Sequence, residues 1–333
     1  MIDVVIATYN RSEHAFELAK DLSNYNKFLA KIIIVDSSDN FEKINSNNPI
    51  INHIHSSHKN QPYQRYLGAS LCSSEIVLFL DDDMSLIDKT LFEDLNYFFK
   101  KKNIIAVNLN FKNINNFLQN VPKSLFTNKK SRFLSFLIGH MNAEKNKYIY
   151  CGIKGERISN ENINYLSGGS FACSLKFLYS NFNFQLFDLY ENKLGKGEDG
   201  IMGYTISRTG NIWSAEKQYF LHNDYSDSTY STSYYNFSKR VMFSRLFLSY
   251  EYYRQNNKPL FYGFIRYQHY ALGRILGSII NCIVNYERKK IEIFMGNITG
   301  WLLTYTFYFK YIKIENSVWS YRLKKDLDKI KLM

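Results

Sequence analysis

Short unbroken runs of β-branched and apolar residues, each separated from the next by a longer amphipathic stretch, dominate the first third of the chain and decide its fold class. Val4-Val5-Ile6-Ala7 is the first run, Ile32-Ile33-Ile34-Val35 the second, Ile50 to Ile54 a third, and Ile76-Val77-Leu78-Phe79-Leu80 a fourth. A strand with one wet face alternates apolar with polar residues, so continuous runs indicate strands covered on both sides. Between them, Ser12 to Asn24 sets Phe16, Leu18, Ala19 and Leu22 on a helical stripe, and Tyr63 to Leu71 reads as a second helix. Leu86 to Lys100 reads as a third helix, and Ile104 to Leu109 is extended again. Strands alternating with helices specify an α/β fold, a mostly parallel sheet flanked by helices.

In such sheets ligands bind beyond the carboxyl ends of the strands. The residues leaving those ends are Thr8-Tyr9-Asn10-Arg11, Asp36-Ser37-Ser38-Asp39 and Asp81-Asp82-Asp83, three polar clusters expected to converge on one rim. Neighbouring carboxylates repel by about 4 kcal/mol per pair at roughly 4 Å in an effective dielectric of about 20. A hard divalent ion with oxygen ligands relieves that cost, and Mg²⁺ or Mn²⁺ held by one or two carboxylates keeps positions open for substrate phosphates. A solvated acidic loop or a helix cap is the plainer explanation of three aspartates in a row. Their position at the end of an apolar strand favours the metal.

Four further features carry chemistry less specifically. Glu198-Asp199, within Gly195-Lys196-Gly197-Glu198-Asp199-Gly200, opens a helix with an acidic pair at its positive end, as ordinary helix N-termini also do. Gly168-Gly169 breaks two extended segments and serves either a close substrate approach or a turn. Gln64-Arg65, on the helix after Pro62, offers a guanidinium for phosphate, or a surface charge. His53 and His55 share one strand face with no obvious third ligand, and His222 either completes the metal site or lies in a loop.

Taken in order, these pieces resemble the family 2 glycosyltransferases, inverting enzymes with the GT-A fold. The resemblance covers the first two-thirds of the chain, and it rests on the order of the motifs more than on any one of them. It implies that Thr8, Tyr9, Asn10 and Arg11 line a nucleotide pocket, that Asp36 recognises the nucleobase, and that Gln64 and Arg65 lie beside the diphosphate. Phe79-Leu80-Asp81-Asp82-Asp83 is similar to the family's D-x-D region, which gives Asp81 or Asp82 to the ribose and Asp83 to Mg²⁺ or Mn²⁺. Gly168, Gly169 and Glu198 fall on the acceptor side, and Asp199 stands where the catalytic base is expected. The implied reaction moves a sugar from a nucleotide-diphosphate donor to an acceptor hydroxyl on a glycan or lipid-linked glycan, as in bacterial surface polysaccharide or glycoconjugate assembly. Pro62 and Tyr66 stand where many members have Gly and Asn, and Ser37-Ser38 replaces a second acidic residue, departures that bear on donor identity.

Domain organisation follows the same division. Residues 1–225 are expected to form the catalytic domain, with 112–164 a variable insertion, and 226–333 an aromatic, basic helical region. Within that region Ile291 to Phe309 is apolar enough to make a membrane span marginal. Helices packed on the catalytic domain that offer a basic, aromatic face to a membrane surface suit it better, against a plain helical extension as the simpler reading. The formal charge of +12 favours anionic partners. Cys72, Cys151, Cys173 and Cys282 form no C-x-x-C pair, so neither a zinc site nor a disulfide framework is indicated. With Met1 running directly into a strand, no signal peptide is read, and a cytoplasmic location, at the inner face of a membrane, is expected. A nucleotidyltransferase needs a Gly-rich loop after the first strand, and a dehydrogenase needs G-x-G-x-x-G there; Thr8-Tyr9-Asn10-Arg11 contains no glycine. A basic membrane- or nucleic-acid-binding protein would explain the charge but leave the ordered acidic clusters without a purpose, so no nucleic acid is expected as a partner.

Overall fold

The computed structural model describes residues 1–101, 103–113, 143–180, 183, 185–223, 233–284, 286–311 and 316–332. Its first half contains β1 (Ile2–Thr8), α1 (Ser12–Ser23), β2 (Leu29–Asp36), β3 (Ile51–His55), α2 (Gln61–Ala69), β4 (Ile76–Asp81), β5 (Met84–Leu86), α3 (Leu91–Lys100) and β6 (Ile104–Asn113). After residues 114–142, which lie outside the described part and hold most of the expected insertion, come β7 (Tyr148–Ile149), β8 (Ile153–Lys154), β9 (Asn162–Ile163) and β10 (Ser170–Ser174). There follow α4 (Leu175–Ser180), α5 (Gln185–Glu191), α6 (Glu198–Ile206) and β11 (Asn211–His222), then α7 (Tyr234–Gln255), α8 (Leu260–Val284), α9 (Arg288–Tyr311) and α10 (Asn316–Leu332).

The main sheet runs β3-β2-β1-β4-β10-β6-β11-β5, with β9 beside β11. Strands β1, β2, β3 and β4 are mutually parallel, and antiparallel β10 separates them from the parallel pair β6 and β11. The expected mostly parallel, helix-flanked sheet with a C-terminal helical region is thus present.

Both faces are dry, as the unbroken apolar runs require. Ile2, Val4 and Ile6 of β1 pack with Leu18 and Leu22 of α1 and with Phe92 and Leu95 of α3. On the other face Val5, Val77 and Phe79 share a core with Tyr63 and Leu67 of α2, Phe243 and Phe247 of α7 and Trp319 of α10. At roughly 25 cal/mol per Å² of buried apolar area, these two layers are the main term holding the sheet together.

The expected helix from Leu86 begins five residues later. Met84–Leu86 instead adds to the sheet edge, Met84 opposite His222 and Leu86 opposite Phe220. Asp88 then accepts both the amide and the hydroxyl of Thr90 at 2.9 Å, turning the chain into α3. Local propensity for helix therefore loses to strand pairing, and that pairing carries His222 toward the acidic trio.

The last helix returns to the first. Trp319, 1% exposed, donates its indole N–H to Asp188 at 2.6 Å and packs against Phe187 and Tyr63. Asp326 accepts from Tyr63 Oη and Ser57 Oγ, each at 2.9 Å. No described helix is long and apolar enough to cross a membrane.

Candidate active site

Sheet register builds the site. Thr8 lies beside Asp36 and Ala7 beside Asp81, so the ends of β1, β2 and β4 form one rim. The three polar clusters picked out along the chain meet there.

Asp36 is fully buried and accepts four protein hydrogen bonds. Ser38 supplies its amide at 2.7 Å and its hydroxyl at 2.5 Å to Oδ1, while Ser12 Oγ and His53 Nε2, the latter at 3.2 Å, reach Oδ2. Burial alone would raise this carboxyl, but His53, Ser12 and Ser38 outweigh it and hold the pKa at about 2. The amide of Ile44 donates to His53 Nδ1 at 3.0 Å, so the ring proton sits on Nε2 and points at Asp36. A carboxylate has about four acceptor directions, and here protein donors occupy them all. Asp36 therefore pins the rim: Ser38 Oγ in turn accepts the amide of Asn10 at 2.7 Å, holding Asn10 at φ 56°. Further out, Tyr9 Oη donates to Asp39 at 3.1 Å, with the Lys59 ammonium 5.1 Å from the Tyr9 ring centre.

The acidic trio divides three ways. Asp82 is buried, accepting from Thr8 Oγ1 at 2.6 Å and pairing with Arg11 at 2.5 Å; burial still pushes its carboxyl up to about 7. Asp81 turns to Arg65 at 2.7 Å and Gln61 at 2.9 Å. Asp83 faces His222 Nε2 at 3.3 Å through Oδ2, and Arg11 stands 3.8 Å away. Its Oδ1 is buried without a hydrogen-bond partner among the described residues.

Arg65 joins the two halves of the site. From α2 its guanidinium contacts Asp199 at 2.6 Å, Glu198 at 3.4 Å and Asp81 at 2.7 Å, itself only 4% exposed. Burial opposes its charge, but Asp81, Asp199 and Glu198 hold it firmly protonated. Glu198 and Asp199 form the first turn of α6, where the helix dipole favours anions. Burial and the adjacent Asp199 nonetheless push the Glu198 carboxyl well up. Gln64, by contrast, spends its amide N–H groups on the Thr8 and Val35 carbonyls, at 2.7 and 2.8 Å. It braces the strand ends.

Gly168 and Gly169 enter β10 beside the trio, the Gly169 carbonyl accepting the Asp81 amide at 3.0 Å. Gly169 has φ 97°, which L side chains avoid. A methyl group at Gly168 would stand 2.6 Å from Asp199 Oδ2. Asp199 therefore has one oxygen tied to Arg65 and the other facing the bare backbone of Gly168.

All the predicted site residues thus fall along this rim, from Tyr9 at its outer end to Asp199. Sequence reasoning missed Ser12, Gln61 and the roles of Ser38 and His53, because single polar residues carry no pattern until strand register puts them beside a carboxylate. Lys196, in the glycine-flanked loop before α6, is pushed down to about 8 by burial and Arg240, with its ammonium 5.7 Å from the ring centre of Phe237.

The described residues hold no group of three or more His, Cys, Asp and Glu side chains arranged for a metal. A two-residue set, Asp83 with His222, does suit an ion that completes its shell with water and substrate oxygens. The bare, buried Oδ1 of Asp83 is the atom such an ion would satisfy.

Residues 3–163 match the family model described as glycosyl transferase family 2. No curated protein matches the chain in sequence. Among solved structures, residues 1–349 of S. aureus TarS share 14% identity, with 99% of this chain and 88% of that one covered at a TM-score of 0.49. The same protein in complex with UDP-GlcNAc shares 13% identity over 91% and 80%, at a TM-score of 0.48. The mannosyltransferase PcManGT of Pyrobaculum calidifontis, in complex with GDP-Man and Mn2+, shares 9% identity over 99% and 86%, at 0.47. With the family model matched across the strands that end in Thr8, Asp36 and Asp81, the chain carries a glycosyl transferase family 2 domain over residues 3–163.

Proposed function

We propose that the protein transfers a sugar, with inversion at the anomeric carbon, from a nucleotide-diphosphate donor to an acceptor hydroxyl. The observation that carries this is the shared guanidinium of Arg65, which touches Asp81 of the acidic trio at one end and Asp199 at the other. Donor-side and base-side carboxylates are thereby fixed within one side chain's span.

Asp199 is the general base. Arg65 keeps one carboxylate oxygen occupied and orients the other toward Gly168, where the acceptor hydroxyl approaches and gives up its proton. Glu198, whose carboxyl burial and Asp199 push up, accepts from the same guanidinium at 3.4 Å and lies on the acceptor side. Thr8, Tyr9, Asn10 and Arg11 line the nucleotide side with Asp81 and Asp82, while Gln64 holds the rim carbonyls in place. Asp36 acts through the residues it fixes, Ser38 and Asn10, since direct contact with a base requires one of its four donors to let go. Asp83 and His222 would hold Mg²⁺ or Mn²⁺, which neutralises charge on the departing diphosphate.

The acceptor is a glycan or lipid-linked glycan, in bacterial surface polysaccharide or glycoconjugate assembly, and the enzyme works in the cytoplasm at the inner face of a membrane. Residues 1–225 form the catalytic domain and 226–333 its helical support. Nucleotide sugars screened with each metal by thermal shift and diphosphate release identify the donor, because a ligand that binds only the native state raises its melting point. Asp83→Ala is expected to lose metal-dependent stabilisation, and Asp199→Asn to keep donor binding while losing transfer. Transfer by Asp199→Asn at the wild-type rate would refute the assignment of the base.

A further inference from the structure

Among the described residues, helix α8 presents an apolar stripe that no other element covers. Phe261, Ile265, Leu272, Leu276, Ile279 and Ile283 recur at helical spacing and all are exposed, Phe261 by 67% and Ile283 by 78%. From Phe261 to Ile283 the stripe runs about 33 Å at roughly 1.5 Å per residue. The opposite side of the helix is anchored in the protein by Tyr267, Tyr270, Ala271 and Ser278, all buried. The stripe adjoins α9 where Gln268 Oε1 accepts from Trp301 Nε1 at 2.9 Å and from Oη of the exposed Tyr305 at 2.8 Å, and α9 exposes Met295 and Leu302 as well. Isolated exposed apolar residues need no explanation, but a contiguous patch on two helices does.

The charge around it selects the occupant. Arg266 turns inward over the Tyr150 ring and Lys290 is buried against Glu287, so the basic groups exposed beside the stripe are Lys258 before its start and Arg288 with Lys289 beyond its end. Helix α8 itself contains no acidic residue. Arg288 opens α9 with its side chain 94% exposed, one helical turn-pair from Met295 and so on the same face. Tyr262 and Tyr286 flank the two ends of the stripe, both exposed, with the amphipathic rings that favour a water–hydrocarbon boundary. Pairing two copies of this face would bring surfaces of like charge together, which opposes association. An anionic lipid surface takes both the greasy stripe and the positive border.

We propose that α8 and α9 form an in-plane docking face for a bilayer containing anionic lipid. With its inner side packed on the protein and no described helix long and apolar enough to cross, α8 lies in the interface without spanning it. This goes beyond the transfer reaction and does not depend on it, since vesicle binding needs no nucleotide sugar.

The test is co-sedimentation of the full chain with vesicles of phosphatidylcholine alone and of phosphatidylcholine mixed with phosphatidylglycerol, at low and high salt. Binding is expected only to the mixed vesicles and to weaken with salt. Arg288→Ala should lower the partition coefficient about 5-fold, and Leu276→Asp with Ile283→Asp at least about 10-fold. Both changes fall on exposed side chains, and the melting temperature of each variant checks its fold. Failure of the wild-type protein to bind the anionic vesicles, or equal binding to both kinds, overturns the proposal without any variant. So does a wild-type dimer in sedimentation that dissociates in the double variant, which would assign the face to a second copy.

Discussion

Gly168→Ala gives the sharpest test of how the base is held. The added methyl would lie 2.6 Å from Asp199 Oδ2, where ordinary contact begins at 3.4 Å, so the two must separate by 0.8 Å (3.4 less 2.6). The backbone at Gly168 is not left-handed, so the substitution adds bulk without the strain that φ 97° would impose at Gly169. Asp199 is the part that moves, swinging about its 2.6 Å contact with Arg65. A misplacement on the order of 1 Å costs about 10²-fold in rate, equivalent to about 2.7 kcal/mol of activation free energy. The overpacking itself costs about 1–3 kcal/mol of stability. Initial rates of diphosphate release with the donor and acceptor in excess measure kcat, and calorimetry measures donor affinity. The expectation is kcat down about 10²-fold with donor affinity unchanged. A kcat within about 2-fold of wild type, which is less than about 0.5 kcal/mol, would show that Oδ2 is not the atom that takes the proton.

Two further outcomes follow from the geometry. Because Asp36 sits at about 2 in the folded protein against a usual 3.8, it contributes about 2 kcal/mol to stability. Its pKa is depressed, so this contribution is present above about pH 4 and is lost as pH falls through about 2; urea titrations should show Asp36→Asn flattening that acid limb, and an unchanged limb would assign it to other carboxylates. Trp319→Ala removes a buried indole and orphans Asp188, and should cost about 3–5 kcal/mol by denaturant melting; a cost under about 1 kcal/mol would mean that α10 adds little to the fold.

Much of the fold was legible because burial on both faces writes itself into a strand. The runs at Val4, Ile32 and Ile76 have no other stable use, and the rule that ligands gather beyond strand ends points to the rim where the three polar clusters meet. What stayed hidden depended on pairings between distant segments. Strand β10 enters antiparallel between β4 and β6, an arrangement no local pattern marks. Leu86 reads as the start of a helix until β11 is beside it. Arg65 was placed near phosphate from its helix alone, whereas its three carboxylate partners include two more than 130 positions away in sequence. The spacing of His53 to His55 is visible in the sequence and suggests chelation, while its bond to Asp36 is not.

The return of the last helix sets an order of assembly. Tyr63 and Asp326 are 263 positions apart, and Ser57 and Asp326 are 269 apart, so these contacts close among the longest loops in the chain. Ordering so long a segment before it is rewarded makes such contacts late and slow. Until α10 arrives, Tyr63 lacks its aromatic neighbour Trp319, and the helix that carries Arg65 is covered on one side less. During synthesis the competent site would therefore mature only after the distal helices have emerged, and a protein shortened before Asn316 would retain its sheet yet hold its bridging arginine on a loosened support.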